Sequence, residues 1–162
     1  MIISKEVKMK KILIILICFF NAQYIIAQTN YVSTGTWKYV NGNDTIEIYF
    51  KTAQLNVGEL QQPVLIGFHK YIKNGQLIEN TLNYTFTSLT DNKYSIIIFD
   101  VQTNDTKNVG NIKDSILNNT REILLTKVSP TTMNVRLTYI QGVRNNRPYG
   151  FTMPRHFILT RQ

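Results

Sequence analysis

Apolar and polar positions alternate along most of the chain with a period of two, the spacing of a half-buried strand. Thr36–Val40 is a first strand, and Asn41-Gly42-Asn43-Asp44 is a turn cluster of the kind that closes a hairpin. In Thr45–Lys51, Ile46, Ile48 and Phe50 share one face and Glu47, Tyr49 and Lys51 the other. Ala53–Gln62 is polar and reads as a loop. Val64–Lys73 follows, with Ile66, Phe68 and Ile72 against Leu65, His69 and Tyr71. Asn74-Gly75 is the strongest hairpin dipeptide, since both central positions of a type I′ turn need φ > 0. The returning strand, Gln76–Thr87, is expected to turn Leu82, Tyr84 and Phe86 inward.

Beyond the Asp91-Asn92 turn, Lys93–Val101 holds Ile96, Ile97, Ile98 and Phe99, a continuous apolar run that implies burial on both faces or a bulge. Thr103–Asn119 is polar and open to three readings: a loop, a short helix over Ile112–Leu117, or a weak strand. Thr120–Val128 is a strand stopped by Ser129-Pro130. Met133, Val135, Leu137 and Tyr139 alternate on the next one; Gln141–Pro154 is a Gly/Asn/Arg/Pro-rich loop; Arg155–Arg161 closes the chain. About eight strands joined mostly by short turns, with no good amphipathic helix, form an antiparallel meander. The expected fold is all-β, an up-and-down barrel that removes its edges by closing. A β-sandwich is the alternative.

The first 27 residues break the alternation. Lys8, Lys10 and Lys11 precede the nine-residue apolar run Ile12–Phe20, and Ala27 follows it. That order reads as a secretory signal peptide, too short to span the roughly 30 Å hydrocarbon core as a stable anchor. Cleavage is expected after Ala27, with Ala22 as a second candidate and Met9 as a second candidate start. The organisation is therefore a signal peptide (1–27) and one barrel domain (28–162). Ile17 stands before Cys18, where a lipoprotein signal needs a small residue, so the product is expected in the periplasm or outside the cell without a lipid anchor.

Composition then narrows the chemistry. Removing residues 1–27 takes four lysines and Glu6 from the 18 basic and 10 acidic residues, and the net charge falls from +8 to +5. An exported chain of that charge has little occasion to meet nucleic acid. Cys18 is the only cysteine, so the mature chain has no thiol and no disulfide. His69 and His156 are the only histidines, and neither has metal-ligand spacing; no metal and no cofactor are expected. The serines lack a nucleophile elbow, and Glu47, Glu79, Asp100 and Glu122 read as separate solvated charges, so no catalytic residues are assigned and the chain is not expected to be an enzyme.

Gly35-Thr36-Trp37 near the start and Arg161 near the end resemble the pattern of lipocalin-like (calycin) barrels. The resemblance implies that Arg161 lies across the Trp37 indole and closes one barrel end. The blocks GTWKYVNGNDTIEIYFK, VLIGFHKYIKNGQLIENTLN and MPRHFILTR are similar to a family of small exported bacterial proteins defined only as a domain of unknown function. A barrel of eight strands either fills with side chains or holds one small ligand. The residues expected to line it are Ile46, Ile48, Phe50, Phe68, Tyr84, Phe86, Leu137 and Tyr139. At its mouth Arg144, Arg147 and Arg155, interleaved with Tyr149 and Phe151, are expected to meet an acidic group. The functional expectation is a binder of a small apolar or amphipathic ligand. The alternative is a protein-interaction or inhibitor module of the cell envelope using the 141–155 loop.

Overall fold

The computed structural model describes residues 34–99, 107–138 and 150–162. Nine strands follow one another: β1 (Gly35–Asn41), β2 (Asp44–Val57), β3 (Leu60–Lys73), β4 (Gln76–Asn80), β5 (Ile96–Ile98), β6 (Lys107–Asp114), β7 (Asn119–Ser129), β8 (Thr132–Thr138) and β9 (His156–Arg161). A short 3-10 turn, Leu82–Tyr84, lies between β4 and β5. The sheet runs β2-β1-β9-β8-β7-β6-β5-β3-β4, and an additional β2–β3 pairing closes it. The result is an eight-stranded antiparallel barrel in meander order, with β4 attached to β3 alone. Closure happens where the ends of the described chain meet: Trp37 lies opposite Arg161 and Lys38 opposite Thr160.

Alternation sets the inner face. Ile46, Ile48 and Phe50 on β2, Leu65 and Tyr71 on β3, Ile96 and Ile98 on β5, Ile112 on β6, and Ile123 and Leu125 on β7 join Trp37 in one buried core. Met133, Val135, Leu137, Phe157 and Leu159 complete it from β8 and β9. A second, smaller core lies outside the barrel wall. There Val64, Ile66, Phe68 and Ile97 are covered by Leu82, Leu89 and Tyr94 of the 81–95 excursion. Lys51 fastens that excursion by donating from Nζ to the carbonyls of Thr85 (2.7 Å) and Thr87 (2.5 Å).

Four expectations need correcting. Phe68 is fully buried, but against the excursion and not inside the barrel. β3 is covered on both sides, and its inner face is the one carrying Leu65, His69 and Tyr71; alternation marks two faces without saying which is inner. Tyr84 and Phe86 do not line the interior either, being 41% and 82% exposed. The strand that was to carry them ends at Asn80, whose side-chain Oδ1 accepts from Leu82 N–H (3.1 Å) and turns the chain away. Ala53–Gln62 is not a loop: β2 and β3 stay paired out to Val57 and Leu60, around Gly58 at φ +60°. Within Thr103–Asn119 the strand reading holds for Lys107–Asp114, where β6 pairs with β7, and residues 103–106 lie outside the described residues. The Asn74-Gly75 hairpin stands, at φ 52° and 77°.

Candidate functional site

Two ends of the barrel differ in chemistry. One holds Trp37, 1% exposed, with Arg161 across the β1–β9 seam and its guanidinium Nη2 donating to Thr34 O at 3.4 Å. Gly35 opens β1 there at φ 111°. The other end carries the turns 41–44, 73–76 and 114–119 and the segment 150–155, and it collects buried polar groups: His69, Glu79, Asp114 and Arg121. This second end is the mouth.

Segment 150–155 is drawn over the mouth by side chains of β6 and β7. Asp114, 1% exposed, accepts at Oδ2 from Thr152 N–H (2.7 Å) and Thr152 Oγ1 (2.9 Å), and at Oδ1 from Leu117 N–H (2.9 Å). Arg121 Nη2 (3.0 Å) and Asn119 Nδ2 (2.9 Å) both donate to Gly150 O. The Arg121 guanidinium also stands 5.9 Å from the centroid of the Phe151 ring, within cation–π range. Met153 drops into the core beneath. Between these groups lies a cavity of about 240 Å³, lined by Arg121, Leu137, Gly150, Phe151, Met153 and Arg155.

Of the expected site residues, Ile46, Ile48, Phe50 and Leu137 face the barrel interior. Leu137 and Arg155 meet in the mouth cavity. Tyr139, Arg144 and Arg147 lie outside the described residues, as do residues 1–27. Sequence reasoning missed Arg121, Asp114 and Met153. Arg121 and Asp114 sit at inward positions of β7 and β6, each two residues from a buried isoleucine; that register was the available signal.

The barrel wall is tightly packed at two glycines. A Cβ on Gly67 would stand 2.8 Å from the Phe50 ring, and one on Gly110 would stand 2.1 Å from Ile97 O. Gly67 lets the Phe50 ring lie against β3, and Gly110 lets β5 lie close against β6.

A second polar group lies in the wall, not at the cavity. His69 is fully buried, with Nδ1 2.8 Å from Ser95 Oγ and Nε2 3.2 Å from Glu79 Oε2. Glu79 is 7% exposed, so it is no solvated charge. Burial alone would raise its carboxyl. The His69 ring 3.2 Å away and the hydrogen bonds from Ser115 outweigh burial and hold it below its ordinary value. The order serine–histidine–carboxylate matches a nucleophilic relay. Ser95 Oγ is nevertheless enclosed by His69, Thr81 Oγ1 (3.1 Å) and Gly67 O (3.3 Å), and Ser95 is 5% exposed.

Among the described residues no helix is long and apolar enough to cross a membrane, and no cluster of three or more His, Cys, Asp or Glu stands ready for a metal. No curated protein and no solved structure matches the chain. Over residues 9–162, which take in the whole barrel, the chain belongs to a family of unknown function, DUF6705.

Proposed function

We propose that the chain is the precursor of an exported, lipocalin-like carrier that holds a small anionic amphipathic molecule at the mouth of its barrel. The observation that carries this reading is the mouth cavity, which sets Arg121 and Arg155 beside Leu137, Met153 and Phe151. Guanidinium groups take a carboxylate or phosphate in a forked geometry, and the apolar floor takes a short chain or ring. At about 240 Å³ the space suits a compact ligand; cavities for drug-sized molecules run from about 300 Å³ upward. Placing the ligand at the mouth also fits the close packing at Gly67 and Gly110. Export rests on the charged, apolar and small-residue order of residues 1–27. Binding is favoured over catalysis because the Ser95 hydroxyl is enclosed in the wall and lies apart from the cavity.

Calorimetric titration of the mature protein with octanoate, and with octanol as the uncharged control, tests the reading. Octanoate is expected to bind, octanol to bind more weakly, and Arg155→Ala to weaken octanoate by about tenfold, the scale of one charge-assisted hydrogen bond. Equal affinity for the acid and the alcohol, or indifference to Arg155→Ala, overturns it. Edman sequencing of protein recovered from its host tests export: a start at Gln28 or Gln23 supports cleavage, and an intact leader refutes it.

A further inference from the structure

Among the described residues, the barrel wall has a place where neighbouring segments are joined by side chains in place of a ladder. On one side β3 meets two strands in succession, β5 along Leu65–Gly67 and β4 along Lys70–Lys73. β5 carries the sheet on to β6, whereas β4 pairs with β3 alone. Glu79 sits on β4 opposite Tyr71, turned inward, and spans the gap. Its Oε1 accepts from Ser115 N–H (3.1 Å), just past the end of β6, while Oε2 faces His69 Nε2 at 3.2 Å. His69 Nδ1 meets Ser95 Oγ, and Ser95 is itself tied to both flanks: its N–H donates to Gly67 O (3.0 Å) and its carbonyl accepts from Lys113 N–H (2.7 Å). One carboxylate thus links β3, β4 and the β6–β7 turn.

We propose that the β4–β6 seam is an acid-released opening in the barrel wall, held shut by the Glu79 carboxylate between His69 and Ser115. The ionised carboxylate offers acceptors to both donors. Protonation of Glu79 changes the inventory: one oxygen becomes an O–H donor, and only the carbonyl oxygen is left as an acceptor between the Ser115 N–H and the His69 ring. With the hydroxyl on the Ser115 side the buried amide loses its charged acceptor, and with it on the His69 side the charge-assisted contact to the ring is lost, so one of the two ties across the seam weakens. No backbone ladder holds β4 to β6 when that contact fails.

Other charged or titratable groups at inward positions of the surrounding elements do not replace it. Tyr71 on β3 is a neutral phenol. Asp114 on β6 has its oxygens committed to Leu117 and Thr152, and Arg121 on β7 is directed at Gly150 O. β2 presents Ile46 and Ile48, and β5 presents Ile96 and Ile98. The excursion contributes the hydroxyls of Thr81 and Ser95. The proposal stands apart from the mouth ligand, because it concerns the wall alone.

Amide exchange of the full mature protein, normalised for the intrinsic effect of pH and followed from neutral pH into the acid range, tests it on the unaltered chain. The expected result is a loss of protection of roughly tenfold at residues 76–80 and 113–116 while β7, β8 and β9 keep theirs, the pattern of a local opening. The Ser115 amide proton shift should follow the titration of a carbon-13-labelled Glu79 carboxyl. Glu79→Gln, which cannot ionise, should abolish the acid dependence at those amides. Seam amides that stay protected until the whole barrel unfolds, or a Ser115 amide that ignores Glu79, overturn the proposal. Should Glu79→Gln fail to fold, the two measurements on the unaltered chain decide alone.

Discussion

Gly110 is the most tightly enclosed of the described glycines. A methyl group there would meet not only Ile97 O but also Ile98 Cδ1 at 2.6 Å and Ile98 Cα at 2.8 Å. Two of those three atoms are backbone, so relief requires moving β5 against β6. Gly67 is crowded differently, by the Phe50 ring and by Ile96 Cβ at 3.0 Å. A ring can tilt, though in a filled core it has little room. Gly110→Ala is therefore expected to destabilise more than Gly67→Ala, with overpacking losses of about 1–3 kcal/mol as the floor for the former. Urea denaturation of both variants measures this. Phe50→Leu should recover part of the loss in Gly67→Ala and none in Gly110→Ala, and equal recovery in both would show that side chains, not strands, set the limit at each site. Neither glycine was legible as a packing device in the sequence, where a glycine inside a strand pattern reads only as a weak point. Ile46, Ile48 and Phe50 were legible because β2 alternates buried and half-buried positions over its first half.

At the scale of elements, legibility follows coverage. β8, β9 and most of β7 alternate between buried and more exposed positions, as does the first half of β2, and these stretches follow from the pattern alone. β3 and β5 are buried on both sides along Val64–Phe68 and Ile96–Ile98. Their apolar residues therefore carried no sign of inside and outside, and Phe68 was placed on the wrong side. The excursion over that outer face was hidden for the same reason: Leu82, Tyr84 and Phe86 keep a period of two right through a 3-10 turn. The mouth was half legible. Arg155 and Leu137 came from the sequence, but Arg121 needed knowledge of which β7 residues face inward. Asp114 is the residue on which segment 150–155 depends, since one carboxylate oxygen takes both the N–H and the hydroxyl of Thr152. Asp114→Asn places an amide donor or a single carbonyl where two acceptor oxygens were. It is expected to cost about 1–3 kcal/mol, the range for a buried donor left unsatisfied. Exchange of the Thr152 amide should accelerate before any amide of β8 does. Uniform acceleration across the barrel would mean that the segment does not open as a unit.

Viewed as a whole, the molecule encloses its ionisable groups unevenly, and that sets the pH range over which it is most stable. Glu79 has a carboxyl held below its ordinary 4.5 in the folded state by His69 and Ser115, against the opposing effect of burial. Its contribution is fully present above 4.5 and fades as pH falls through the lower folded value. Tyr71 works at the other limit. Burial first, then the charges of Asp44 and Tyr39, raise its phenol above the ordinary 10.0. Folding therefore favours the neutral phenol, and this contribution is fully present below 10.0 and fades as pH rises through the higher folded value. Both residues lie in the same register pair, Tyr71 opposite Glu79, at the mouth end of the wall. The alkaline limit and part of the acid limit should thus originate in one patch of the barrel, with Asp91, lowered by hydrogen bonds from Ser88, adding to the acid limb from the excursion. Urea midpoints collected from acid to alkaline pH should form a plateau with two falling limbs. Glu79→Gln should lower the plateau and flatten the acid limb, and Tyr71→Phe should flatten the alkaline limb while leaving the acid limb in place. Limbs that keep their slopes in these variants would assign the pH dependence to other carboxyls and phenols, and would remove the Tyr71–Glu79 pair as the point where the closed barrel is most sensitive to protons.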